Sequence, residues 1–152
     1  MLKKLIASSL LASSLIMTGC QTTPPPSDTI EMANIQQLQQ RTWILTQIGN
    51  TEIKTAPNER NIPSLQFSDD NRISGADGCN RIMGSYTLGR DTLTLSQLAT
   101  TRMACINNST VPQQFQEALA KVTHYQVFGK TLKLLDRHGN LLLQFGSAIQ
   151  PR

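Results

Sequence analysis

Histidine is nearly absent from this chain. Of 152 residues, only His124 and His138 carry an imidazole. Cysteine is scarce too, at three, and no two of them stand in a Cys-x-x-Cys pair. Zinc sites are built from paired or clustered Cys and His. Here one would have to be assembled from Cys79, Cys105 and His124 without that spacing, so no metal is expected. A nucleophilic cysteine needs a base and an orienting group. Only the two histidines could serve as base, His124 at a strand edge and His138 in a turn, and no third group is spaced to help. No Gly-x-Ser-x-Gly elbow occurs. Asp69 and Asp70 adjoin in a turn and should point apart, and Asp77 stands alone, so paired-carboxylate chemistry has no support. The reading is of a non-enzyme with no catalytic residue and no cofactor. Aromatic residues make up only 5%, and Tyr86 is the only ring in the span that holds Arg72, Arg81, Arg90 and Arg102. The formal charge of +4 falls to +2 once Lys3 and Lys4 are set aside. Neither the charge nor a stacking pattern supports nucleic-acid binding. No repeat of fixed period is present.

What the chain does have begins at its start. Lys3-Lys4 is followed by an apolar run from Leu5 to Met17 and then by Thr18-Gly19-Cys20. That is the order of a secretory signal peptide. The run of 13 residues is shorter than the roughly 20 needed to span a bilayer. Leu15-Ile-Met-Thr-Gly-Cys20 resembles the lipobox of bacterial lipoproteins, with Met17 where Leu is commoner. The resemblance implies cleavage before Cys20, lipid on Cys20, and, with Gln21 rather than Asp next, the periplasmic face of the outer membrane. Gln21 to Ser27, with Pro24-Pro25-Pro26, reads as an extended tether of about 3.1 Å per residue. The expected division is signal peptide 1–19, lipidated Cys and tether 20–37, and one folded domain 38–152. With Cys20 lipidated, Cys79 and Cys105 remain as an even pair in an oxidising compartment, which favours a disulfide. Closing a loop of 26 residues would contribute roughly 3–4 kcal/mol.

The rest of the chain reads as β-rich. Asp28-Thr-Ile-Glu31 has the form of a capping box that opens a short helix with Ile35 and Leu38 on one face. Eight strands are expected: 42–48, 64–68, 72–75, 82–88, 92–96, 124–128, 131–135 and 141–145. Gly129-Lys130 suits a type II′ hairpin, and Asp136 to Asn140 a longer turn. Thr110-Val-Pro112-Gln113 resembles a second capping box, and Val111, Phe115, Ala118, Leu119 and Val122 then recur at helical spacing. The fold expected is mainly β, a strongly curved antiparallel sheet or partly open, lipocalin-like barrel with one packed helix. Trp43, the only Trp, is expected in the core, or else lining the barrel mouth. Leu141-Leu142-Leu143 places apolar residues on both strand faces, a hint of an apolar ligand in that mouth.

Four segments line up in order: Trp43-Ile-Leu, Ile73-Ser-Gly75-Ala-Asp77-Gly-Cys79-Asn80-Arg81 with Gly84-Ser-Tyr86, Leu98-Ala-Thr-Thr101-Arg102-Met103-Ala104-Cys105, and Leu132-Lys-Leu134 with Leu141-Leu-Leu-Gln-Phe145. On these the chain resembles the META domain family, most closely the HslJ-type heat-shock lipoproteins, over about residues 38–145. The resemblance implies a small β-rich domain with an open barrel and a packed helix. It implies a part in envelope stress and in tolerance of the antibiotic novobiocin, with no established enzymatic activity. Gly75, Gly78 and Gly84 are expected to permit positive φ or close backbone approach around a bulged turn. Asn80 and Arg81 are expected to tie that turn to Thr101-Arg102-Met103 by hydrogen bonds, the alternative being a polar patch that recognises a partner. The partners expected are the membrane through the lipid, an envelope protein, or a small apolar ligand.

Overall fold

Alternation builds the sheet. In Thr42–Ile48 (β1) Trp43 and Leu45 face inward, and in Ser64–Phe67 (β3) Leu65 and Phe67 do the same. A computed structural model describes Gly19 and residues 27–39, 41–55, 60–106 and 109–148. The signal segment, Cys20 and the Pro-rich tether lie outside the described residues, as does the Asp28 side chain of the first capping box.

The remaining elements are a helix Ser27–Gln39 (α1), the short strand Thr51–Glu52 (β2), Arg72–Ala76 (β4), Arg81–Leu88 (β5), Leu93–Thr100 (β6), a helix Val111–Leu119 (α2), His124–Phe128 (β7), Thr131–Leu135 (β8) and Leu141–Ser147 (β9). The strands form one antiparallel sheet in the order β6-β5-β4-β3-β1-β9-β8-β7, with β2 paired to β1 alone. The sheet curls until its two outer strands meet at one end. Thr92 bridges His124, the Leu93 N–H donates to the Thr123 carbonyl at 2.9 Å, and the Tyr125 N–H to the Asp91 carbonyl at 3.0 Å. Beyond those contacts the strands diverge, leaving a half-barrel.

Its concave side is filled. Trp43, Phe67, Tyr86, Phe115 and Phe145 are all buried there. Phe115 of α2 meets Phe145 edge to face with centroids 6.0 Å apart, and Phe67 meets Tyr86 at 5.2 Å. Trp43 is therefore a core residue, and its indole N–H donates to the Leu38 carbonyl at 2.9 Å.

Several expectations need correction. A second helix packs as well: α1 lies against β3 and β7 with Leu38 wholly buried. There are nine strands among the described residues, because Gly49-Asn50 turns the chain so that β2 pairs back on β1. Strand β6 continues to Thr100, four residues past the expected end. The capping box at Thr110 does not form. Thr110 sits in the helical region (φ −85°, ψ −6°), where its side chain makes no cap bond, and Gln113 bonds Glu117 instead of reaching back. The Ser109 hydroxyl accepts the Val111 N–H at 3.2 Å in its place. Leu142 is explained by a bulge: Leu134 pairs with Leu143 and Leu135 with Leu141, so Leu142 is the extra residue. It packs against the core. Gly129 has φ 57° and Lys130 does not take a positive φ, as the expected II′ turn requires.

Candidate functional site

The β4–β5 turn, Asp77-Gly78-Cys79-Asn80, is organised by a carboxylate. Asp77 is wholly buried. Its Oδ1 accepts the N–H groups of Cys79 at 2.9 Å and Asn80 at 2.6 Å, and its Oδ2 accepts the side-chain amide of Gln116 on α2. The carboxylate thus locks the turn and fastens it to the helix in one stroke. A buried carboxylate is tolerable here because both oxygens are hydrogen-bonded. Gly78 at φ 104° takes a conformation that a side chain would strain. At Gly75 an added Cβ would sit on the Ser64 backbone carbonyl of the paired strand. Gly84 lies opposite the β6 bulge, where an added Cβ would meet Leu98 and the Ser96 carbonyl at 2.9 Å.

From this turn, bonds run to the segment after β6. The Asn80 Oδ1 accepts the Met103 N–H at 2.7 Å and the Thr101 hydroxyl at 3.5 Å. Arg81 joins through its backbone: its N–H donates to the Thr101 hydroxyl at 2.9 Å, and its carbonyl accepts the Thr101 N–H at 3.0 Å. Both Arg81 and Arg102 are exposed. Their side chains add no bond to the turn among the described residues. Cys79 and Cys105 form a disulfide, with Cα atoms 5.6 Å apart. The Cys79 carbonyl accepts from Asn61 Nδ2 at 2.9 Å.

Beside the disulfide opens a cleft of about 560 Å³. Ile53, Pro63, Cys79, Met103, Val111 and Pro112 form its apolar walls, and Lys54 and Arg60 stand among its lining residues. Met103 is half exposed and Ile106 fully so, on the loop that the disulfide holds. A second depression, on the other side of Asn61, is lined by Ser74, Gly75, Arg81 and Met83.

The two histidines do not join the cysteines. His124 Nδ1 pairs with the neighbouring Thr123 hydroxyl at 2.9 Å, and His138 Nε2 accepts from Arg137 at 3.0 Å in the β8–β9 turn. Among the described residues no group of three His, Cys, Asp or Glu is placed to hold a metal, and no helix is long and apolar enough to cross a membrane. Asp136 organises its turn as Asp77 does, accepting the N–H groups of His138 and Asn140 and the Asn140 side chain. Those bonds hold its carboxyl below the usual Asp range, the Asn140 side chain contributing most.

Sequence reading missed the roles of Asp77, Gln116 and Asn61. A signal was present for the first: Asp followed by Gly is an Asx-turn pattern, in which the carboxylate bonds backbone N–H groups just ahead. Gln116 gave none, since its partner lies 39 residues away.

The pattern of the META domain family matches residues 36–149. No curated protein matches. Three solved structures resemble the chain. One, determined by NMR, is 23% identical, with a TM-score of 0.59 over 73% of this chain and 92% of its own. Another, an NMR structure of a protein from Burkholderia xenovorans, is 23% identical, with a TM-score of 0.57 over 98% of this chain and all of its own. A crystal structure of a DUF4847 family protein from Bacteroides vulgatus is 20% identical, with a TM-score of 0.55 over 76% and 98%. At these identities the likeness is one of fold. With its half-barrel, its disulfide and a pattern match from residue 36 to residue 149, this chain belongs to the META domain family.

Proposed function

We propose that this is an HslJ-type envelope stress lipoprotein that acts through contacts and catalyses no reaction. Cys20 would anchor it to the periplasmic face of the outer membrane, and the domain would bind other envelope components. One observation carries the reading: the signature residues spend their polar groups on each other. Asp77 holds the turn, Asn80 holds the Met103 backbone, and Met103 and Ile106 stand exposed to solvent on the loop that follows β6. Exposed apolar side chains on a fixed frame suit recognition. Among the described residues no group of His, Cys, Asp or Glu is placed to hold a metal.

A carrier role in the barrel interior fits less well, because Trp43, Phe67, Tyr86, Phe115 and Phe145 fill that space. The test places a photo-cross-linking side chain at Ile106 or Met103 of the full chain in cells, with Lys133 on β8 as the control position. Adducts with a discrete envelope protein from the loop positions, absent from Lys133, are expected. Turnover of an envelope substrate by the purified protein, or adducts equally abundant from all three positions, would sink the reading. In the same cells Cys20→Ala should move the chain from the membrane to the soluble fraction.

A further inference from the structure

We propose that the Cys79–Cys105 disulfide is a reversible redox latch. An external dithiol opens it by attack at Cys105 while the domain stays folded. The bonds around Asn80 then keep the two thiols close enough to re-form it.

The two ends of the bond differ in access. Cys79 is 8% exposed, in the turn that Asp77 locks, whereas Cys105 is exposed on the loop after β6. Exchange needs a thiolate to reach one of the two sulfurs, so access directs attack to Cys105, and exposed disulfides are the labile class. A thiolate of the dithiol attacks the Cys105 Sγ, the S–S bond breaks, and Cys79 leaves as a thiolate that takes up a proton. The second thiolate of the reagent attacks the mixed disulfide and releases Cys105 as a thiol. Two electrons and two protons pass to the protein, and the dithiol becomes a disulfide.

Bonds on both sides of the latch do not depend on it. The Cys79 N–H donates to Asp77 at 2.9 Å, and its carbonyl accepts from Asn61 at 2.9 Å. Asn80 accepts the Met103 N–H at 2.7 Å, and the Thr101 N–H donates to the Arg81 carbonyl at 3.0 Å. Among the described residues no backbone hydrogen bond fastens Ala104, Cys105 or Ile106. Reduction therefore frees Cys105 and Ile106 beyond a Met103 that stays in place. Cys105 follows Met103 by two residues, a short leash that keeps its thiol at high effective concentration against Cys79. The Met103 carbonyl oxygen lies 3.8 Å from the Cys79 Sγ and 3.6 Å from the Cys105 Sγ, and can accept from either S–H once the bond is open.

The latch goes beyond the contact reading and does not rest on it. Loss of the Ile106 cross-links would sink that reading and leave the following measurements untouched. The full chain is extracted from its own membranes in a mild detergent and treated with excess dithiothreitol. Alkylation and peptide mass spectrometry read Cys79 and Cys105 apart from Cys20. Reduction should go to completion with the emission maximum of Trp43, the only Trp, unchanged. Its rate should stay level in low urea, because attack on the folded chain exposes little new surface. With glutathione in place of dithiothreitol, the mixed disulfide should lie on Cys105 at least tenfold more often than on Cys79. In oxidised glutathione the bond should re-form, and Asn80→Ala, with the same Trp43 emission maximum, should re-form it several-fold more slowly. A reduction rate that rises with urea as steeply as global unfolding, mixed disulfide shared equally by the two cysteines, or reclosure of Asn80→Ala at the parental rate would each overturn the proposal.

Discussion

Asp77 is wholly buried at the β4–β5 turn. One carboxylate satisfies two backbone N–H groups in the turn and a side-chain amide on α2. Removing it leaves buried donors without partners, and the cost of an orphaned donor is about 1–3 kcal/mol. Asp77→Ala should therefore lose about 3 kcal/mol of unfolding free energy, measured by urea titration. Asp77→Asn should lose distinctly less. An Asn oxygen still accepts from Cys79 and Asn80, and the Gln116 amide can turn to offer its own oxygen to the new NH₂ group. Equal losses in the two variants would show that the negative charge, and not the bonding pattern, is what the turn needs. The comparison with Asn80 is instructive. Its part in tying the turn to Met103 was readable from neighbouring signature residues. Asp77, dismissed as a catalytic acid for want of a second carboxylate, could be read as a turn former but not as a buried anchor. Burial depends on α2 arriving overhead, and nothing local encodes that.

At the scale of elements, the turn, the disulfide and the loop after β6 behave as one piece. The bond from Cys79 to Cys105 closes a loop of 26 residues, worth roughly 3–4 kcal/mol through the unfolded chain. Cys79→Ser/Cys105→Ser should lose about that much and lower Tm, while Asn80 still holds Met103. In native-state hydrogen exchange, the Met103 amide, which Asn80 holds, should stay protected in this variant. If Met103 loses its protection, the Asn80 bond depends on the disulfide and the two are not independent fastenings. Strand identity within this region was legible because one face of each strand is buried and the other wet, which leaves alternation in Leu65-Gln66-Phe67 and in Ile82-Met83. Four features were not legible. Strand β2 is two exposed residues, too short to show any period. The end of β6 is masked because Ser96 to Ala99 are exposed without alternation. Thr110 has a good capping sequence, but the Ser109 hydroxyl and the Pro112 ring settle the helix start differently. Leu142 looked like a ligand-facing residue because a bulge breaks the period of two on which such a reading depends.

For the molecule as a whole, closure of the half-barrel is the feature that no local pattern specifies, since it joins β6 and β7 from the two ends of the sheet order. Closure brings Tyr86 on β5 and Tyr125 on β7 into one interior, close enough for Tyr125 to feel the charge of Tyr86. Burial is the main cause that pushes both phenols above the ordinary tyrosine pKa of 10.0. For Tyr86 the Gln39 bond opposes this, while Asp69 and Asp70 add to it; for Tyr125, Glu31 and Asp91 add to it. A group whose pKa is higher folded than unfolded keeps its proton longer in the native state. Its contribution is complete below pH 10 and is lost as pH rises through the folded value. Urea midpoints should therefore stay level from pH 8 to about pH 9.5 and fall beyond about pH 10. The two rings can be separated, because their hydroxyls differ. That of Tyr86 donates to the Ser68 carbonyl at 2.6 Å and accepts from Gln39 at 2.8 Å. That of Tyr125 is buried with no partner among the described residues. Tyr125→Phe removes a hydroxyl that is desolvated without compensation, so stability at pH 8 should be unchanged or up to about 1 kcal/mol higher. Its alkaline fall should also be shallower than that of the parent. Tyr86→Phe should lose about 1–2 kcal/mol at pH 8, because it breaks two bonds. A Tyr125→Phe variant that is less stable at pH 8 would mean that its hydroxyl has a partner in solution, and the interior between α1 and the sheet would then hold an ordered water or a ligand.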